Sequence, residues 1–289
     1  MKHTISIMAI IMTSLWAGHA KAQDTLTTKT KPQKKYGTTF TIGPKGISVT
    51  PNDSSNTTVT KKEEHNDDDT GFSSHWVMMD LGFNTIQDKS NYNSTAAKTF
   101  LNVPAGSQNS SLFNLRTGKS INVNIYPFME TFSIKCSRRQ QINISTGIGL
   151  QLYNFRYDNP INFNKNPSTV TLENTSFKKD KLAFDFLNVP LMATFKTRGL
   201  KRGNTSYIIY GVGITGGYNL TTWTKQESSQ SGKVKDHNNF DFATFNSCLT
   251  GELGFRPGVR FYISYQLTNL YQDALNQHPI SFGFRILGI

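Results

Sequence analysis

The chain is short of cysteine, of acids and of long apolar runs, and each shortage removes a class of protein. Two cysteines in 289 residues, Cys136 and Cys248, supply neither a disulfide framework nor zinc spacing. Each is expected to be a small buried group rather than half of a bridge. The one apolar stretch, residues 5–16, is shorter than the ~20 residues of a spanning helix. It follows Lys2 and His3 and precedes Ala20-Lys21-Ala22, the small-x-small form that signal peptidase accepts. Residues 1–22 therefore read as a signal peptide, and any membrane residence must come from strands.

Acids number 19 against 31 Lys and Arg. Losing Lys2 and Lys21 with the signal leaves 29 basic residues and a charge of +10. These residues form no block and the chain is exported, so nucleic acid is not the expected partner. Outer-membrane lipid headgroups and lipopolysaccharide phosphates are the expected counter-charges. No phosphate-cradling glycine loop opens a helix, and no cofactor is expected.

Residues 23–74 are rich in Thr, Lys, Asn, Ser and Asp and read as a polar periplasmic segment. Within it, 38–50 has the pattern of a hairpin turning at Gly43-Pro44-Lys45-Gly46. The acidic run at 61–69 lacks the Gly and terminal Glu of a calcium loop, which leaves a solvated linker.

From His75 to Ile289 apolar and polar residues alternate, the period of strands. The pattern predicts strands over 76–84, 120–132, 141–153, 183–196, 207–220, 241–255, 259–267 and 280–289. Pro190 within the fourth implies a bulge or a weakened ladder. The links run long, short, long, short, long, short, medium, the rhythm of a bacterial barrel with short periplasmic turns and long outer loops. The fold class expected is thus all-β: an eight-stranded antiparallel up-and-down transmembrane β-barrel over 75–289, with an N-terminal periplasmic extension and both termini in the periplasm. A soluble lipocalin-like barrel would carry Lys and Glu on its wetted face. Here the polar face holds chiefly Gly, Asn, Ser, Thr and Gln, which suits a narrow enclosed interior.

The segment Leu187-Asn188-Val189-Pro190-Leu191-Met192, the strand Tyr207-Ile208-Ile209-Tyr210-Gly211-Val212-Gly213 and the glycine-rich ends of neighbouring strands resemble the PorT-like outer-membrane β-barrel proteins of Bacteroidota. The 38–50 hairpin followed by His75-Trp76 and Asp80-Leu81-Gly82-Phe83-Asn84 is similar to the N-terminal part of many members. The resemblance implies a small eight-stranded outer-membrane fold and little about activity. Ile289 departs from the usual terminal aromatic.

Five charged residues fall on the predicted inner face: Asp80, Lys196, Glu252, Arg260 and Arg285. A charge in so narrow a space needs a partner, so they read as a lumenal polar network rather than a conduction path. Of six histidines, His237 and His278 fall in outer loops, where solvated side chains are expected rather than catalytic ones. The reading is a non-enzymatic outer-membrane protein that meets an extracellular or periplasmic protein partner through mobile loops. A narrow channel, a secretion-associated subunit and a soluble ligand-binding barrel remain the alternatives.

Overall fold

The computed structural model describes residues 37–43, 46–52, 71–137, 139–175, 177–198, 207–229, 232–256 and 258–287. The expected signal peptide, the acidic run at 61–69 and the terminal Gly288-Ile289 lie outside these. Strands β1 (Gly37–Gly43) and β2 (Gly46–Asn52) form a two-stranded sheet of their own, at the place where the sequence predicts a hairpin.

The remaining described residues are all-β and mostly antiparallel. The long strands are β3 (Gly71–Asp88), β5 (Ile121–Lys135), β6 (Gln140–Arg156), β9 (Lys179–Arg198), β10 (Tyr207–Ser228), β12 (Phe245–Arg256), β13 (Val259–Gln266) and β14 (Gln277–Ile286). Each pairs antiparallel with the next of these in sequence, and β14 pairs back onto β3 through Arg285↔Asp80 and Gly283↔Gly82. Every one of them is therefore hydrogen-bonded along both edges. Where Gly82 faces Gly283 the backbones crowd: a Cβ on Gly283 would lie 2.1 Å from the Leu81 carbonyl oxygen, and one on Gly82 would lie 2.6 Å from the Tyr262 hydroxyl. Only glycine admits that ring at this level.

Several strands outrun their predicted lengths. β3 starts at Gly71, inside the segment assigned to the polar linker, and β10 runs 22 residues to Ser228. β12 instead starts at Phe245, four residues late. The bonding of β10 to β9 continues to Glu227, far past the last alternating apolar residue, so pairing rather than hydropathy sets that strand's end. Pro190 weakens one ladder without a bulge, since the β6–β9 register omits Val189 and Pro190 but resumes unshifted. The register shifts instead between Ile125 and Phe128 and between Asn219 and Thr221.

The long links are not free loops. They hold α1 (Thr95–Phe100), β4 (Leu101–Asn102), β7 (Ile161–Asn164), β8 (Thr169–Leu172) and β11 (Gly232–His237). β4, β8 and β7 make a small sheet of three, and β11 extends β10 outward. Ser94 caps α1 by accepting the Ala97 N–H at 3.2 Å, and Ala97 and Phe100 are buried beneath it.

Candidate functional site

Away from the ends that carry the long links, alternate residues of the long strands are sorted by burial in the sense opposite to a water-soluble sheet. Leu191 is 53% exposed and Phe284 60%, while Asn188 is fully buried and Arg285 is 3% exposed. The exposed belt includes Leu81, Phe83, Ile148, Leu150, Leu187, Val212, Ile214, Leu249, Leu253, Phe261 and Ile263. The buried face behind it carries Asp80, Asn122, Asn124, Gln151, Thr215, Asn246, Thr250, Glu252, Ser264 and Ser281.

At the centre of that buried face Arg285 donates Nε to Asp80 Oδ1 at 2.7 Å and Nη2 to Oδ2 at 3.0 Å, and its Nη1 reaches Glu252 Oε2 at 2.8 Å. Arg260 Nη1 pairs with Glu252 Oε1, which also accepts from Thr194 at 2.8 Å. Asn124 donates to Asp80 at 3.0 Å. Two carboxylates meet two guanidiniums, so the quartet is neutral. The guanidinium of Arg285 also lies 6.0 Å from the ring centres of both Tyr126 and Tyr262. Tyr262 in turn donates to Asn122 at 2.8 Å. The bidentate fork is the strong form of such a pair. Side chains of β3, β5, β9, β12, β13 and β14 are thereby tied together across the interior.

Four of the five residues expected to form this network do so, and Lys196 does not. Its ammonium sits 4.5 Å over the Tyr207 ring, half-exposed near the end of β9, where water solvates the charge. Strand parity missed Tyr126, Asn124 and Thr194 because uncharged residues carry no demand for a partner that a sequence displays.

The loop-bearing end is built differently. Phe100, Leu112, Phe113, Tyr157, Phe163, Phe240, Phe242, Leu270 and Tyr271 from the links meet Tyr153, Phe155, Phe184 and Phe186 from β6 and β9 in one apolar core. Phe242 is its hub, 4.7 Å from both Phe184 and Tyr271. Phe240 and Asp241 hold φ of 50° and 64° to present the two flanking rings inward. That backbone costs about 1 kcal/mol or more per residue, offset by burial of Phe240 and Phe242. Apolar residues in the links thus converge on a core, which the sequence reading of these loops did not anticipate. Asp180, two residues into β9 and seven before the first exposed leucine of that strand, accepts the Ile161 N–H at 3.1 Å inside this end. Burial pushes its carboxyl up to about 7.

The histidine expectation is also revised. His278 lies in β14, buried and stacked on Tyr265 at 5.5 Å, with its ring nitrogens 3.0 Å from the Gln266 carbonyl and 2.7 Å from Asn276 Oδ1. His237 is exposed at the end of β11. Cys248 is buried and Cys136 exposed, both as free thiols, so the expected burial holds for one of the two. A cleft of about 690 Å³ opens between α1, β4 and the β7–β8 turn, lined by Lys98, Asn102, Gln108, Asn164, Lys165 and Thr169. Lys165 is tied to Asp236 at 3.0 Å and Gln108 to the Val103 carbonyl at 3.1 Å, which leaves the cleft few groups to offer a ligand. Among the described residues no three His, Cys, Asp or Glu side chains converge as a metal site.

No protein-family model and no curated protein matches the chain. Among solved structures the chain is similar to Ail, the attachment invasion locus protein of Yersinia pestis, at 10% identity and a TM-score of 0.28, over 75% of this chain and 99% of that one. At that level the likeness carries no argument about fold or function.

Proposed function

We propose that the chain is a non-enzymatic outer-membrane protein: a closed, eight-stranded transmembrane β-barrel of the PorT-like kind, with its loop-bearing end outside the cell and its termini in the periplasm. One observation carries this reading. Leu187, Ile214, Leu253 and Phe284 are exposed while their adjacent residues Asn188, Thr215, Glu252 and Arg285 are buried. A row of large apolar groups around a polar interior is favourable only where the surroundings are hydrocarbon. In water the belt would be an aggregation surface.

The lipocalin-like alternative requires the opposite sorting. A channel is disfavoured because Arg285, Tyr126, Tyr262 and the two carboxylates occupy the interior, as eight strands lead one to expect. The outer end, with a core of its own, supports a fixed recognition surface, and a structural or interaction role is the one we assign to it. Cell fractionation followed by electrophoresis with and without heating tests the reading. The protein should stay in the membrane until detergent is added and migrate faster unheated. Material that remains dissolved without detergent overturns it.

A further inference from the structure

Across four neighbouring strands, one rung on the outward face is entirely cationic. Arg156 on β6 is the cross-strand partner of Lys181 on β9, Lys181 of Lys225 on β10, and Lys225 of Lys235 on β11. At the usual strand spacing these four span about 15 Å. Like charges placed directly opposite one another weaken a sheet, and here three such pairs stand in succession. No acid stands on this rung: Glu227 sits one rung away between Lys179 and Lys233, and Asp185, two rungs toward the belt beside Leu152, attracts Lys181 and Lys235 from there, one carboxylate against four cations. Trp223, on the rung next to the cations, has the Lys181 ammonium 4.4 Å and the Lys235 ammonium 4.3 Å from its ring centre. It holds both side chains in place and takes the level at which tryptophan meets a membrane interface.

Building on the membrane reading above, we propose that Arg156, Lys181, Lys225 and Lys235 form a binding site for the phosphate groups of the phosphorylated glycolipid headgroups in the outer leaflet. The row faces outward, as the belt does, and lies two residues beyond Trp223, about 5 Å deeper into the headgroup layer for tilted strands. An anion there relieves the repulsion along the rung. A lipid meets it better than a soluble anion because the acyl chains cover the belt that begins at Leu150 and Leu187 on the same strands. The four residues come from the two longest strands and from β6 and β11, so β11, which extends β10 past the belt, has a use beyond covering an edge.

The test uses the full mature chain, first floated with phosphatidylcholine vesicles and then, in detergent, titrated with diphosphoryl lipid A, with the same lipid stripped of phosphate, and with inorganic phosphate. Diphosphoryl lipid A should bind about 30-fold more tightly to the wild type than to Lys181→Gln/Lys225→Gln, at about 1 kcal/mol per lysine. Removing its phosphates should weaken binding comparably. Lys98→Gln/Lys119→Gln, an equal charge loss elsewhere, should bind as the wild type does. The Lys181→Gln/Lys225→Gln variant should float with vesicles as the wild type does. Equal binding of phosphate-free lipid, an equal loss in the control variant or displacement by equimolar inorganic phosphate each overturns the site. Failure to float overturns the membrane reading and the site with it, whereas flotation without phosphate selectivity overturns the site alone.

Discussion

The two ends of the same strands follow opposite rules. Along β9 the inward positions are Leu182, Phe184 and Phe186 at one end and Asn188, Met192 and Thr194 at the other, all buried. The outward positions reverse in parallel, from Lys181 and Asp185 to Leu187 and Leu191. β9 alternates without a break through both halves, while β10 shifts register opposite their junction, between Asn219 and Thr221. On the membrane reading proposed above, water outside one half draws apolar rings inward, and hydrocarbon outside the other leaves nothing to gain from hiding them. The interior of that half is filled by polar groups, among them the hydrogen-bonded set of Asp80, Asn124, Thr194, Glu252, Arg260 and Arg285.

The comparison breaks most severely at the polar end. Arg285→Ala leaves Asp80 and Glu252 buried with a single remaining cation, Arg260, and should cost about 3–5 kcal/mol of stability by urea unfolding in detergent. Bilayer recordings should still show no large channel, because Tyr126 and Tyr262 remain in place. At the apolar end, Phe242→Ala should cost about 3 kcal/mol or more, but locally. Limited proteolysis should cut the links, while the heat-dependent shift on gels survives. If the variant loses that shift too, the two ends fold as one unit and the contrast drawn here is wrong.

Leu191→Arg addresses the outer surface. In a water-soluble sheet such a change at a half-exposed position lies within about 0.5 kcal/mol of neutral, whereas near the middle of a bilayer it should cost about 2–4 kcal/mol. The smallest effect belongs to Asp180. Its folded carboxyl titrates near 7, above its unfolded value, so it favours folding fully below about pH 4 and loses that contribution as pH rises through 7. Between pH 6 and 8 the loop-bearing end should weaken by about 1 kcal/mol, read as amide exchange in 157–182. Asp180→Asn should abolish the dependence; a wild-type end that strengthens over that range contradicts the burial of this carboxyl.

Much of the polar end was legible in the sequence. The two-residue period assigned faces, and a charge on the inner face announces its need of a partner; Asp80, Glu252, Arg260 and Arg285 were found that way. Lys196 was misplaced because parity reports the direction of Cβ, while a long stem near a strand end carries its ammonium to water. The apolar end was hardly legible, since Phe113, Phe163, Phe240 and Tyr271 come from four links with no common period and meet only in three dimensions. One trace was present: along β6 and the residue after it the inward series passes from Gln151 to Tyr153, Phe155 and Tyr157, a change of character on one face. His278 was placed in the link before a last strand expected to start at Ile280, yet β14 begins at Gln277 and holds Pro279 opposite Ile86.

The fork between Asp80 and Arg285 joins positions 205 residues apart. As the chain folds, neither partner is relieved until β14 has paired with β3. A chain truncated before β14 would present two bare strand edges and, in addition, two carboxylates with one counter-ion. Pairing of β14 with β3 is thus registered electrostatically as well as by hydrogen bonding, which sets the paired sheet apart in energy from one that lacks β14.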